Sequence, residues 1–341
     1  MDKPKVVSVM SKGMYSSVMS EEAEKKLISF ANLVKNEKDS VPSETEMCEM
    51  LEDADGCITG WGAKLTEPVI EAARKLKIIG HAAGSVKAVV PALAYERDIV
   101  VTHAAATIAL SVGEMCLGFA IAGLRNFIQH DTAFKQDGTR GDKTIPRLIE
   151  DKGLYGARVG IIGASMTGRQ FIKLLKAFDS DVEIWVYDPY LTEAGASDLG
   201  ASKVPLKQLL SRCDVISLNC AATPETRHMI GKEEVKLIKD GAVLINSARG
   251  ALIDFNGILD ELRTGRFRAC FDVYLETLSD DEIEVSEYRK LRNVLFTPGI
   301  AGPAGRVRRR LGGTIVEDFA LFFSGKEPKH RVVLDLMPSM A

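Results

Sequence analysis

Residues 157–189 leave few folds open. They read ARVGIIGASMTGRQFIKLLKAFDSDVEIWVYDP. Residues 159–162 have the composition of a short buried strand. Gly163, Ser165 and Gly168 follow with the spacing of G-x-G-x-x-G, and Phe171, Ile172, Leu174, Leu175 and Phe178 then recur at helical intervals. A second strand, 182–187, ends at Asp188, twenty residues beyond Gly168. Strand, glycine turn, helix, strand and terminal acid form the layout of a dinucleotide-binding βαβ unit. The turn lets backbone approach a pyrophosphate, and the helix directs N–H groups and its positive dipole end at it. Arg169 could add charge there. Asp188 is placed to accept both ribose hydroxyls. A carboxylate at that point repels a 2′-phosphate, and no Arg follows at 189 or 190, so the reading is NAD rather than NADP. Ser165 departs from the pattern: its Cβ takes room where the second glycine normally stands, although its hydroxyl could bond a phosphate oxygen. The plain alternative is a tight strand–helix turn with no ligand.

With 341 residues the chain suits two domains, and a net charge of −3 with a pI near 6.1 gives no sign of nucleic acid or an anionic membrane as partner. The one basic cluster, Arg306, Arg308, Arg309 and Arg310, reads as a solvated helix face. Six cysteines show no C-x-x-C spacing and fall within apolar segments, as reduced core residues of a cytoplasmic protein do; no metal site is expected. The apolar run at 6–10 is too short for a signal-peptide core, and no run is read as reaching membrane-spanning length.

Strands are expected at 5–10, 27–33, 55–59, 77–81 and 99–102, alternating with helices at 44–51, 68–76 and 89–95. That alternation implies an α/β fold with a parallel sheet covered on both faces. A long apolar helix is expected at 111–124, then a polar, irregular stretch at 129–152. Beyond Asp188, helices at 206–210, 232–238 and 257–262 alternate with strands at 214–220, 242–247, 268–274 and 294–297, and a last helix spans 307–323.

Seven segments together resemble the D-isomer-specific 2-hydroxyacid dehydrogenase family: HAAGSV at 81–86, GIIGASMTG at 160–168, VYDPY at 186–190, TPET at 223–226, INSARGALID at 245–254, CFDVY at 270–274 and TPGIAG at 297–302. They run in order along nearly the whole chain. The resemblance implies a Rossmann-type NAD-binding domain, 108–303, inserted into a flavodoxin-like substrate domain made of 1–107 and 304–341. It also implies a substrate site between the two and a homodimer formed through the NAD-binding domains. The expected substrate is a small 2-keto or 2-hydroxy acid. Arg249 would hold its carboxylate and carbonyl oxygen, a task suited to a planar, always-charged fork. Backbone amides of Gly84, Ser85 and Val86 would take the other end of the carboxylate. Besides Gly163, Ser165, Gly168 and Asp188, the family pattern puts Met166, Thr167, Cys220, Ala248, Arg249, Asp272, Gly299 and Gly302 at the cofactor. For Asp272, a simple strand-end cap is the other reading.

The acid–base pair departs from the family. Where the family has the His of T-P-H-I-A-G, this chain has Gly299; where it has the partner Glu, this chain has Thr277, with Glu276 one residue early and Leu278 in place of Pro. No histidine lies anywhere from 229 to 329. Positioned acid–base catalysis contributes roughly 10²–10⁴-fold, or about 3–5 kcal/mol of barrier. His103, at a strand end where family members often carry Asn, is a candidate replacement base, with His81 behind it and Glu276 as the displaced acid. Three readings follow: an NAD-dependent oxidoreductase with a non-standard or impaired proton donor, a catalytically degenerate NAD(H)-binding sensor or scaffold, or a different chemistry on the same site.

Overall fold

The computed structural model describes residues 2–137, 152–178, 181–273 and 287–334. The chain divides into two compact units, one of Met1–Leu110 with Pro303–Met340 and one built from Ser111–Gly302.

The first unit is a five-stranded parallel sheet of β1 (Lys5–Ser8), β2 (Asn32–Lys35), β3 (Gly56–Thr59), β4 (Ile78–His81) and β5 (Val100–His103). Its strand order, β2-β1-β3-β4-β5, is the flavodoxin-like winding. The strands are four residues each, and all but the edge strand β2 alternate between two buried faces. Val7, Cys57, Ile79 and Val101 face helices α3 (Glu44–Leu51), α4 (Glu67–Ala72) and α5 (Ala92–Glu96). Val6, Ile58 and Ile78 face α1 (Lys12–Val18), α2 (Glu21–Phe30) and the C-terminal helix, numbered α13 below (Gly305–Phe323). The last lies so close that a Cβ on Gly80 would come within 2.2 Å of Ile315 Cγ2 and 2.7 Å of Phe319 Cε1.

Serine caps start three of these helices: Ser11, Ser20 and Ser43 accept from Met14, Ala23 and Glu46 N–H, and Glu46 returns the bond to Ser43 N–H as a capping box. The Ser20 cap corrects the strand expected at 27–33. With three acidic residues in its first turn and Ala23 and Leu27 buried on one face, the segment continues as helix to Phe30, and strand begins only at Asn32. Helix α4 also stops at Ala72, short of the expected end at 76.

Helix α6 (Ala105–Leu124) starts in the first unit and continues into the second. It begins before the expected position and, by length and composition, is apolar enough to cross a membrane, which corrects the reading that no run is so long. Within the second unit two of its glycines lie directly on protein: a Cβ on Gly113 would meet Gln170 Cγ at 2.7 Å, and one on Gly123 would meet Val243 Cγ1 at 2.5 Å. The irregular stretch expected from 129 is also corrected as far as Asp137, because α7 (Phe127–Asp137) is helical; 138–151 lie outside the described residues.

The second unit is a seven-stranded parallel sheet: β6 (Arg158–Ile162), β7 (Glu183–Tyr187), β8 (Ser202–Lys203), β9 (Val215–Leu218), β10 (Val243–Asn246), β11 (Arg268–Phe271) and β12 (Val294–Phe296). The order β12-β11-β10-β9-β6-β7-β8 reverses direction between β6 and β9. This is the Rossmann winding with one added edge strand. Helices α8 (Met166–Lys176), α10 (Leu206–Arg212), α11 (Lys232–Leu237) and α12 (Phe255–Arg263) cover it. A short helix, α9 (Glu193–Asp198), and β8 were not anticipated; Thr192, accepting from Gly195 N–H, is the cap that marks the helix start.

Candidate functional site

In the second unit the site forms where the winding reverses. Gly163 leaves β6 with φ +96°, a conformation that disfavours a side chain. A Cβ there would sit 2.6 Å from Cys220 N and 2.7 Å from its Cα, just past the end of β9. At Gly168 a Cβ would be 2.2 Å from the Gly163 carbonyl oxygen. These two glycines let strand, turn and helix close on one another, which brings the first turn of α8 to the end of β6. Ser165 is the N-cap of α8, its Oγ accepting from Gly168 N–H at 3.4 Å. That hydroxyl still has a proton to donate. Met166 and Thr167 open the helix. Arg169 donates Nε–H to the Ala164 carbonyl at 2.9 Å, so its first commitment is to the turn.

Asp188, beyond the end of β7, braces the same turn. One carboxylate oxygen accepts from Ala164 N–H and the other from Tyr190 N–H, each at 2.8 Å. Each oxygen retains acceptor capacity for a ribose hydroxyl. Capped helix, glycine cradle and fixed carboxylate therefore fit the diphosphate and ribose of a dinucleotide. Cys220 lies half-buried with Sγ 3.6 Å from Met229 Sδ; burial pushes its thiol up to about 11, so it is a packing group.

Arg249 follows β10 and caps a 3₁₀ turn, Gly250–Leu252. Buried Asn246 builds this bend: its Oδ1 accepts from Ala248 N–H at 3.0 Å and its Nδ2 donates to the Arg249 carbonyl at 2.9 Å. Asn246 was not singled out from the sequence, although a strand-end Asn before S-A-R-G is a signal for an Asx turn. The guanidinium donates to the Ala248 carbonyl at 2.8 Å. Among the described residues it forms no ion pair with a carboxylate.

Asp272, 3% exposed past β11, accepts from Ile300 N–H at 2.8 Å, Ala301 N–H at 2.7 Å and the Thr297 hydroxyl. The structure thus gives it the capping role, holding the 297–301 turn. In that turn Gly299 has φ +66°, and the nearest heavy atom to a Cβ there would be the Asp272 carbonyl oxygen at 3.8 Å. Among the described residues Gly302 has nothing within 4 Å of that position. Glu276, Thr277 and Leu278 lie outside the described residues.

In the first unit, Gly84, Ser85 and Val86 form the loop after β4. Among the described residues their three N–H groups have no protein acceptor. His103, at the end of β5, is 3% exposed, and its Nδ1 is 3.0 Å from the Gly84 carbonyl oxygen. Burial lowers its pKa; the Gly84 carbonyl and Asp318 oppose that, and His330 adds to it. His81 is its register partner on β4, 2% exposed, with Nδ1 unpartnered; burial, and then His103, push it down to about 4. Both rings are buried groups of the sheet edge.

Fold and site define a class: an α/β protein whose Rossmann unit, with a dinucleotide cradle and an adjacent arginine, is inserted into a flavodoxin-like unit. Residues 117–301 match the family described as D-isomer specific 2-hydroxyacid dehydrogenase, NAD binding domain. The D-3-phosphoglycerate dehydrogenase of Methanocaldococcus jannaschii is 35% identical over 275 residues, 80% of this chain and 50% of that protein, so the chain spans about half the length of this relative. The hydroxypyruvate reductase of Thermotoga maritima is 30% identical over 273 residues, 80% of this chain and 86% of that protein. Among solved structures, the PH0520 protein of Pyrococcus horikoshii OT3 superposes with a TM-score of 0.74 at 25% identity, covering 98% of this chain and 97% of that one. The chain belongs to the D-isomer-specific 2-hydroxyacid dehydrogenase family, and it carries the family's NAD-binding domain.

Proposed function

We propose that the protein is an NAD-dependent oxidoreductase that interconverts a small 2-keto acid and the corresponding 2-hydroxy acid. The observation that carries this reading is Arg249. It is held by Asn246 at the end of a central strand, and among the described residues its guanidinium is bound only to the Ala248 carbonyl. A cation fixed in place and left without a carboxylate suits an anionic ligand. Its fork binds the substrate carboxylate and polarises the carbonyl oxygen; the amides of Gly84–Val86 are assigned as carboxylate donors. NADH, when bound, supplies the hydride. The carbonyl oxygen then takes one proton.

Among the described residues that proton has no evident donor. Gly299 has no ionisable group, and His103 is buried, neutral and engaged with the Gly84 carbonyl. Water is the proton source we assign, so turnover is expected to be slow. The same observation at Gly299 favours a second reading, an NAD(H)-binding relative without catalysis. The first unit is assigned as the substrate domain. A homodimer through the second unit is also proposed, supported by Phe127 and Phe134 of α7, which are 54% and 62% exposed. Initial rates of NADH oxidation with glyoxylate, pyruvate and hydroxypyruvate test the function. Turnover with one of them is expected; tight NADH binding with no turnover on any would leave the second reading.

A further inference from the structure

We infer that His103 is a positioning residue that aims the amides of the Gly84–Val86 loop at a bound carboxylate; the inference rests on the oxidoreductase reading above. A trans peptide is planar, so its C=O and N–H point in opposite directions. The Gly84 carbonyl and the Ser85 N–H belong to one such unit, and the Ala83 carbonyl and Gly84 N–H to the unit before it. The end of β5 holds both carbonyls: His103 Nδ1 reaches the Gly84 oxygen at 3.0 Å, and Ala104 N–H donates to the Ala83 oxygen at 2.9 Å. Both N–H groups are thereby turned away from β5. Two successive amides facing one side make an anion-binding concavity.

The carbonyl accepts, so Nδ1 must carry the proton and Nε2 is the bare nitrogen. The ring is placed by the sheet. The backbone N–H of His103 donates to the His330 carbonyl at 3.3 Å, His81 is its register partner on β4, and Asp318 binds the His330 Nδ1 at 3.0 Å. A ring that is 3% exposed and spent on a carbonyl acts through the loop and not on the reacting atoms.

The test uses the full chain saturated with NADH, and oxamate as an unreactive carboxylate probe. Asn at 103 can present an N–H near the Nδ1 position, whereas Leu presents none. His103→Leu should weaken oxamate about 10–100-fold, the worth of an aimed hydrogen bond to a charged group, and should raise KM with kcat held for any substrate turned over. His103→Asn should bind oxamate within a few-fold of wild type and keep kcat. NADH affinity should be unchanged in both. Nitrogen-15 spectra of histidine-labelled wild type should show His103 protonated at Nδ1, a readout that needs neither variant to fold. Equal oxamate affinity in wild type and His103→Leu, loss of kcat in His103→Asn, or an Nε2-protonated ring would each overturn the inference. Wild type that binds NADH but no oxamate would instead sink the oxidoreductase reading, and this inference with it.

Discussion

Replacing Gly299 by histidine restores the group that the rest of the family uses and separates an impaired enzyme from a rebuilt site. The backbone decides the cost. At φ +66° a residue with a Cβ is strained by about 1–2 kcal/mol, and His is among the residue types that tolerate this region better than most. Space adds little, because among the described residues the nearest heavy atom to the new Cβ is 3.8 Å away, an ordinary contact. Melting should therefore fall by roughly 2–8 °C, taking about 2–4 °C per kcal/mol for a domain of this size. The gain is larger. A positioned acid contributes roughly 10²–10⁴ in rate, and even the lower end exceeds the strain. Initial-rate NADH oxidation should show kcat/KM rising at least about 100-fold in Gly299→His, and further with Thr277→Glu. Reduction needs the protonated ring, so the new activity should decline above a pH of about 6.5, the ordinary histidine range. A variant that folds, binds NADH and shows neither the rise nor the decline would refute the idea that only the acid is missing.

Other expectations concern the groups that remain. Arg249→Lys exchanges a planar fork for a point charge; kcat/KM should fall about 10–100-fold, and calorimetry should find a smaller loss in NADH affinity than that. Asp188→Ala removes the acceptor for Ala164 and Tyr190 N–H as well as the ribose partner; NADH should bind at least about tenfold more weakly, and the preference for NADH over NADPH should narrow in parallel titrations. His81 is held down at about 4 against an ordinary 6.5. The unfolded chain therefore takes up this proton first, and the stability is present above 6.5 and lost as pH falls toward 4. Between pH 7 and 5 that is about 2 kcal/mol at 1.36 kcal/mol per pH unit. Urea unfolding at the two values should show a difference smaller by that amount in His81→Leu, and an equal difference in both proteins would refute the assignment.

The cofactor half of the site could be read from the chain because its parts are local. Gly163, Ser165, Gly168 and Asp188 lie within one βαβ unit, where spacing alone brings them to one turn. Ser165, the apparent flaw in the pattern, turns out to cap α8. Long-range partners were not legible. That Asp272 would be used on the 297–301 turn, or that His103 would take the Gly84 carbonyl, depends on sheet register between distant segments. The same limit explains the errors of extent. Residues 27–33 form a compact apolar run that suits a strand, and only the cap and acidic turn upstream show helix through Phe30. The two-residue β8 pairs with Trp185 and Val186 and carries too little pattern to be seen without its partner.

The close approach of α13 to Gly80 bears on how the polypeptide is made. Val6, Ile58 and Ile78 are covered in part by Leu311, Ile315 and Phe319, which come after the Rossmann unit in the chain. A ribosome that has finished the first five strands has produced a sheet with one greasy side covered in part by α1 and α2 and still lacking α13. That side stays partly open while the whole Rossmann unit is translated, and domains tend to fold as they emerge. The middle of the nascent polypeptide should therefore mature before its beginning, and a transcript truncated ahead of α13 should yield an insoluble product with an intact dinucleotide cradle inside it.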